Sequence, residues 1–122
     1  MKKICLLVED SDSIRSMYQL KFSKSNIRTV EATDGAMALT KISEHQPQVV
    51  LLDLMMPNVS GMEVLEELKK HGITPGLPVI VLTNVMDQAT IDQAKNLGAR
   101  DYIIKTDLTP SEVVAKIELY LK

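Results

Sequence analysis

Aromatic residues are almost absent from the chain. Of its 122 residues, 3% are aromatic and none is Trp, whereas 45% are hydrophobic. We therefore expect an aliphatic core built from Val, Ile, Leu, Ala and the seven Met. An internal disulfide is excluded because the chain has a single cysteine, Cys5, which lies in an apolar run and is expected to be a buried, reduced thiol. A reducing, cytoplasmic compartment fits this cysteine content best.

An excess of positive charge and long apolar segments are also missing. The 14 basic and 16 acidic side chains give a net charge of −2, so the chain itself has no basic field that would attract nucleic acid. Every apolar run is too short to span a bilayer, and Met1-Lys2-Lys3 leads directly into a strand-length run, unlike a signal peptide. We expect neither a nucleic-acid nor a membrane partner, and one domain over residues 1–122.

Short apolar runs alternate along the chain with segments of helical periodicity. Strands are predicted at 3–8, 27–31, 48–53, 79–82 and 101–104. Helices are predicted over 12–24, from Asp34-Gly35 to just before Pro47, over 61–70, from Asp87 to Leu97-Gly98, and from Thr109 to Leu121. A turn is predicted at 74–78, before the fourth strand. Because every crossover holds a helix, the fold class is α/β with a doubly wound parallel sheet.

Periodicity also predicts which helical residues face the core. In the first helix these are Ile14, Met17, Tyr18 and Leu20, and in the second they are Met37, Ala38 and Ile42. Asp12 is expected to cap the first helix.

Acidic and other polar side chains follow several of the predicted strands. Glu9 and Asp10 come after the first and Asp53 after the third, while Thr83 and Lys105 follow the fourth and fifth. The carboxyl ends of parallel strands meet at one edge of the sheet, so these side chains are expected to converge there. Acids placed so closely repel one another unless a cation lies between them, and Mg²⁺ prefers carboxylate ligands.

A reactive carboxylate would give this arrangement a chemistry. Asp53 could attack phosphorus to form an aspartyl phosphate, with Mg²⁺ held by Asp10 and Asp53 and by Glu9 directly or through water. Lys105 could pair with one phosphoryl oxygen and Thr83 could donate to another. Each residue alone has a simpler interpretation, since an Asp after a strand is usually a turn residue or cap and most Lys side chains are solvated.

The full set of motifs resembles one family, the receiver domains of two-component response regulators, especially the stand-alone type similar to the chemotaxis receiver. The motifs are Glu9-Asp10, the segment from Asp53 to Gly61, Val81-Leu82-Thr83, the segment from Gly98 to Tyr102, and Lys105. The resemblance covers the whole chain. It implies a flavodoxin-like sheet of five parallel strands in the order 2-1-3-4-5 with five helices.

The resemblance also implies a role for each site residue. Asp53 would be the phosphoacceptor, and Thr83 and Lys105 would contact the phosphoryl oxygens. The Mg²⁺ ligands that it implies are Glu9, Asp10, Asp53 and the backbone carbonyl of Met55. A histidine kinase or phosphotransfer protein would donate the phosphoryl group, and the receiver would catalyse its own phosphorylation and dephosphorylation. Movement of Thr83 would let Tyr102 turn inward and change the protein-binding face of the fourth helix, fifth strand and fifth helix.

Some positions depart from the family pattern. Thr106 follows Lys105 where the family usually has a proline after a cis bond, and a cis bond before a non-proline residue costs about 3–4 kcal/mol, so we expect a trans bond and an altered loop. Asn84 stands where a small residue is usual and could narrow access for the phosphoryl group. Met55 and Val85 flank the site and are apolar, which predicts slow self-dephosphorylation.

Three other functions compete with phosphoryl acceptance. A receiver-like module that acts without phosphorylation often loses the acids or the lysine, and this chain keeps both. An aspartyl-phosphate phosphatase of the haloacid-dehalogenase type needs a second Asp where Met55 stands. A flavin-binding protein of the flavodoxin type needs a hydroxyl-rich phosphate loop, whereas the acids after the first strand would repel a phosphate.

Overall fold

A parallel sheet of five strands forms the centre of the molecule, in the order β2-β1-β3-β4-β5. The computed structural model describes residues 2–74 and 76–121. The strands are β1 (Lys3–Val8), β2 (Ile27–Ala32), β3 (Val49–Leu52), β4 (Val79–Thr83) and β5 (Asp101–Ile104). All residues of β3 and β4 are buried, as expected for central strands covered on both faces. The predicted flavodoxin-like fold and strand order are confirmed.

One helix follows each strand. The helices are α1 (Asp12–Ser23), α2 (Gly35–His45), α3 (Gly61–Lys70), α4 (Gln88–Asn96) and α5 (Pro110–Leu119). Each begins after a residue whose side chain accepts a hydrogen bond from the backbone in the first turn, namely Ser11, Asp34, Ser60, Asp87 and Thr109. Among the residues described, no helix combines the length and the apolar character needed to cross a bilayer.

The sheet separates two aliphatic cores, because alternate strand residues point to opposite faces. Leu6 and Val8 of β1 belong to the core that contains buried residues of α2, α3 and α4. Cys5 and Leu7 belong to the other core, which contains buried residues of α1 and α5. We call these the α2–α4 core and the α1–α5 core. Side chains just after the strand ends follow the same alternation, so their position in the sequence determines on which side of the sheet they lie.

The predicted details of α1 were partly wrong. Its N-cap is Ser11, whose Oγ accepts a hydrogen bond from the N–H of Ile14 at 3.4 Å, and Asp12 is the first helical residue. Tyr18 and Phe22 are buried, four residues apart on one face. Leu20, two positions after Tyr18, is rotated to the opposite side and is 59% exposed. The prediction that Leu20 faces the core is therefore wrong, because the helical period places this residue in solvent.

Two more predicted positions differ in part. Met17 and Met37 were expected in the core, but each lies at the surface, with 37% and 38% of its area exposed. Ala38 and Ile42 are buried as predicted. The predicted turn at 74–78 includes Pro75, which lies outside the described residues.

Candidate functional site

Three carboxylates meet at the carboxyl edge of the central strands. Glu9, Asp10 and Asp53 each offer an oxygen, and these oxygens lie within 4.8 Å of one another. The strand ladders hold two of the three residues, since Glu9 N–H donates to the carbonyl of Ala32 and Asp53 N–H donates to the carbonyl of Val8, each at 3.0 Å. Glu9 and Asp53 are buried and Asp10 is exposed. The predicted convergence of the acids is therefore observed.

Lys105 joins the two buried acids. Its Nζ lies 2.6 Å from Glu9 Oε1 and 3.2 Å from Asp53 Oδ2. The backbone N–H of Lys105 donates to the carbonyl of Thr83 at 2.8 Å, so the residue is anchored to the end of β4. Three strands that are far apart in sequence thus place one cation between two anions.

Strand alternation explains why these side chains meet. Glu9, Asp53 and Lys105 each lie two positions after a strand residue of the α1–α5 core, namely Leu7, Leu51 and Ile103. A period of two returns a side chain to the same face of the sheet. The three charged groups are therefore directed to one side of the edge, where they contact one another.

The second oxygen of each buried acid is held by the backbone. Asp53 Oδ1 accepts from the N–H of Met55 at 3.1 Å, and Glu9 Oε2 accepts from the N–H of Ser11 at 3.3 Å. Each carboxylate is therefore bound on one side by the Lys105 ammonium and on the other by a peptide group. This arrangement fixes both carboxylate planes before any ligand arrives.

Burial and charge act in opposite directions on these groups. Burial raises the pKa of Glu9, and the hydrogen bond from Lys105 only partly offsets this effect, while the negative charge of Asp53 adds to it. Burial lowers the pKa of Lys105, but its hydrogen bond to Glu9 and the negative charge of Asp53 outweigh this and leave the pKa raised. Lys105 is therefore a cation throughout the physiological range. The raised pKa of Glu9 makes its carboxylate easier to protonate than an ordinary glutamate.

Thr83 and Tyr102 lie on the other side of the sheet edge. Thr83 is 1% exposed and follows Val81 by two positions, so it shares the face of the α2–α4 core. Tyr102 pairs with Val81 across the strands and packs against the same core. Both side chains contact Val85, since its N–H donates to Thr83 Oγ1 at 3.4 Å and its carbonyl accepts from the Tyr102 hydroxyl at 2.7 Å. The loop after β4 connects the two residues.

The loop after Asp53 is packed tightly against the start of α3. Gly61 donates its N–H to the carbonyl of Leu54 at 3.2 Å. A Cβ at position 61 would lie 2.2 Å from the carbonyl oxygen of Asp53, closer than any real contact. Only glycine lets the helix approach the loop after Asp53 this closely. Met55, in the same loop, is 67% exposed beside the site.

Sequence reasoning missed two residues near the acids. Arg15 of α1 donates from Nη1 to the carbonyl of Glu9 at 2.9 Å. Tyr18 of α1 lines a small cleft that is also lined by Glu9 and Asp53. The polar ends of the Arg15 and Tyr18 side chains indicate that each needs a polar partner. Helical periodicity alone does not show which residue of another element that partner is.

Comparison with known proteins decides the family. A sequence profile described as the response regulator receiver domain matches residues 5–118. The chain belongs to this family.

A probable transcriptional regulator, ycf27, of Cyanophora paradoxa is 37% identical over 121 residues, covering 99% of this chain and 49% of the relative. The phosphate regulon transcriptional regulatory protein PhoB of Escherichia coli is 33% identical over 122 residues, covering 100% of this chain and 53% of the relative. The receiver chain thus spans about half the length of these curated relatives.

A solved structure agrees with this assignment. The receiver domain of the Francisella response regulator 1452 superposes with a TM-score of 0.89 at 27% identity, covering 98% of this chain and 96% of that chain. Receiver domains accept a phosphoryl group in two-component signalling, bind Mg²⁺ at an acidic pocket, and interact with histidine kinases and downstream effectors. The acidic cluster of this chain lies at the carboxyl edge of its sheet.

Proposed function

We propose that residues 1–122 form one receiver domain that accepts a phosphoryl group on Asp53 from a phosphohistidine kinase or phosphotransfer protein. The observation that carries this proposal is the contact of Asp53 Oδ2 with Lys105 Nζ at 3.2 Å, in a site shared with Glu9 and Asp10. A carboxylate held by a lysine and flanked by further acids is organised to receive an anionic group together with a metal ion.

The residues present fit a magnesium ion. The donor set consists of carboxylate oxygens that lie within 4.8 Å of one another, and oxygen-only sites with few protein ligands suit this ion. Glu9, Asp10 and Asp53 would hold it together with the backbone carbonyl of Met55. When bound, the ion neutralises negative charge on the carboxylates and on the incoming phosphoryl oxygens.

Transfer of the phosphoryl group exchanges one bond to phosphorus for another. A carboxylate oxygen of Asp53 forms the new P–O bond while the P–N bond to the donor imidazole breaks, and the electron pair of that bond leaves with the imidazole. Lys105 pairs with one phosphoryl oxygen, and the buried hydroxyl of Thr83 donates to another. Water later cleaves the same P–O bond, so the receiver supplies the site for its own dephosphorylation.

Phosphorylation would change the surface formed by α4, β5 and α5. The Thr83 hydroxyl accepts from Val85 N–H and the Tyr102 hydroxyl donates to Val85 carbonyl, so both side chains are tied to the loop that precedes α4. When Thr83 turns to the phosphoryl group it gives up its contact with Val85, and Tyr102, already half-buried against the α2–α4 core, turns further inward. We propose that this population shift exposes a docking face for a downstream protein.

The two relatives, ycf27 and PhoB, are named as a probable transcriptional regulator and a transcriptional regulatory protein. By analogy we propose that the output of this receiver, too, is a change in transcription. Its own net charge of −2 argues against direct contact with nucleic acid, so the effect would pass through the docking face. We place the chain in the cytoplasm, where a reduced Cys5 and a histidine kinase donor would both be found.

Phosphorylation by a small donor tests the proposal. The purified chain is incubated with Mg²⁺ and acetyl phosphate or phosphoramidate, and its intact mass is measured. We expect the wild type to gain one phosphoryl group and Asp53→Ala to gain none. The matched variant Asp107→Ala removes an exposed acid beyond the site and should gain the group like the wild type. Equal labelling of Asp53→Ala and the wild type would refute the assignment.

A further inference from the structure

Arg15 of α1 contacts the backbone of the acidic pocket rather than its carboxylates. Its Nη1 donates to the carbonyl of Glu9 at 2.9 Å, and its Nε donates to Glu31 Oε1 at 3.3 Å. A third donor, Nη2, binds the carboxylate of Asp12. The side chain is 13% exposed, so the guanidinium is largely removed from water. Each of its three guanidinium nitrogens thus donates to a separate acceptor.

The backbone of Glu9 is consequently held on both sides of its Cα. Its N–H donates to the carbonyl of Ala32 at 3.0 Å, and its carbonyl accepts from Arg15. Glu31, which orients Arg15, is the residue before Ala32 in β2. The end of β2 therefore holds the N–H of Glu9 directly, through Ala32, and the carbonyl of Glu9 indirectly, through Glu31 and Arg15. Arginine suits the position because its planar fork presents several donors in a fixed geometry, which the single ammonium of lysine lacks.

We propose that Arg15 is a positioning residue for the metal site. By fixing the carbonyl of Glu9, it fixes the peptide that joins Glu9 to Asp10 and so directs both carboxylates towards Asp53. The inference rests on the proposed function, because it assumes that these acids hold Mg²⁺. Groups one layer away from a metal commonly control affinity by orienting its ligands.

Charge and positioning predict opposite effects at this residue. Arg15 is a cation near a site that binds cations, so removing its charge would tighten Mg²⁺ binding if electrostatics alone mattered. Loss of the positioning contact would instead weaken binding, because Glu9 and Asp10 would have to be ordered when the ion arrives. The direction of the change therefore separates the two accounts.

Titration calorimetry with Mg²⁺ on the purified chain measures that direction. We expect Arg15→Gln to weaken binding by about 10-fold, the lower end of the effect of groups that orient metal ligands. Arg28→Gln is the matched control, since it removes the same charge from an exposed position on β2. It should leave the affinity unchanged or slightly tighter. Arg15→Lys keeps the charge and should recover only part of the loss.

Several outcomes would overturn the inference. Binding by Arg15→Gln that equals or exceeds that of the wild type would contradict a positioning role. If Arg15→Gln does not fold, Arg15→Lys replaces it, because this change keeps the positive charge and removes the planar fork that reaches the Glu9 carbonyl, and binding equal to or tighter than that of the wild type would again overturn the proposal. Failure of the proposed function is recognised separately, because then the wild type itself would not bind Mg²⁺ or Asp10→Asn would bind it equally well.

Discussion

Lys105 Nζ lies 2.6 Å from Glu9 Oε1, although the two residues are 96 positions apart in the chain. Glu9 is buried and the Lys105 side chain is 18% exposed, so the pair is largely shielded from water. A cation of the protein thus partly compensates the negative charge of the buried acids. The charge arrangement of this pocket, and its expected response to ligands, follow from that contact.

Removing the lysine should destabilise the metal-free protein. Lys105→Met leaves Glu9 buried without its cation, and breaking such a pair typically costs about 3 kcal/mol or more. We expect a loss of roughly 3 kcal/mol in the free energy of unfolding, measured by urea denaturation without Mg²⁺. Mg²⁺ should add more stability to the variant than to the wild type, because the ion stabilises whatever folded site it binds and binds more tightly when the competing Lys105 ammonium is absent.

Lys116→Met is the matched control for this comparison. Lys116 pairs with Asp101 at 3.1 Å, but its side chain is 40% exposed. Solvent screens such a pair, so the expected loss is below about 1 kcal/mol. Equal losses in the two variants would show that Lys105 does not compensate a buried charge.

The contact between Lys105 and Glu9 predicts that the stability of the protein depends on pH in the alkaline range. Contacts with Glu9 and Asp53 raise the pKa of Lys105 above its ordinary value of 10.5, although burial opposes them. A cation with a raised folded pKa stabilises the protein fully below the unfolded pKa, and this contribution disappears as pH rises through the folded pKa. The difference in stability between wild type and Lys105→Met should therefore be constant near neutral pH and shrink above pH 10.5. A difference that grows in this range would contradict the stated contacts.

Much of this site could be predicted from the sequence, for a definite reason. Apolar runs that end in Glu9 and Asp53 identify strand ends, and parallel strands bring their ends to one edge. The direction of side chains at that edge is harder to predict. Whether Lys105 meets the acids depends on strand register to a single residue, because a shift by one residue reverses the face.

Other features depend on contacts between elements. Arg15 reaches Glu9 only because α1 packs beside β2, which no local pattern reveals. Ser11 and Asp12 are both good N-cap residues, so the sequence does not separate them, and the backbone places Ser11 at the cap. Leu20 is apolar, yet its helical phase places it on the solvent side, so apolar character alone does not predict burial.

The phosphoryl group should be lost slowly. Met55 is 67% exposed beside Asp53 and, like Val85, offers no polar atom in its side chain that activates water. We expect Met55→Asn to shorten the half-life of the phosphorylated chain by about 10-fold, less than a fully positioned general base supplies. Intact mass recorded over time after removal of the donor measures the half-life. Rapid loss in the wild type would contradict this prediction, and loss from Asn84→Ala that is no faster than from the wild type would contradict control by site access.

Gly61→Ala should disturb the reactive loop. The added Cβ would lie 2.2 Å from the carbonyl of Asp53, so either α3 or the loop must shift. We expect a loss of about 1–3 kcal/mol in stability and slower phosphorylation by acetyl phosphate. At Gly76 the nearest atom to an added Cβ, the carbonyl oxygen of Ile73, is 3.3 Å away, so Gly76→Ala requires a much smaller shift and is the control. It should cost less stability than Gly61→Ala and leave phosphorylation unchanged. Unaltered phosphorylation of Gly61→Ala would show that the loop tolerates the shift.

Cys5 should be unreactive in the folded protein. Burial raises the pKa of its thiol to about 12, and the residue is 0% exposed. Because the thiolate is the reactive form, labelling by an aromatic disulfide reagent at pH 8 should occur only through unfolding. Labelling should therefore be slow in buffer and fast in denaturing urea. Fast labelling in buffer would contradict the buried position of β1.

The central claim is that Asp53 carries the phosphoryl group. After phosphorylation by acetyl phosphate with Mg²⁺, borohydride reduces an aspartyl phosphate to homoserine, and peptide mass spectrometry then identifies the converted residue. The account predicts homoserine at position 53 and at no other acid, with none formed when Mg²⁺ is removed by a chelator. Conversion at Asp10 or Asp12 with position 53 unchanged would contradict it.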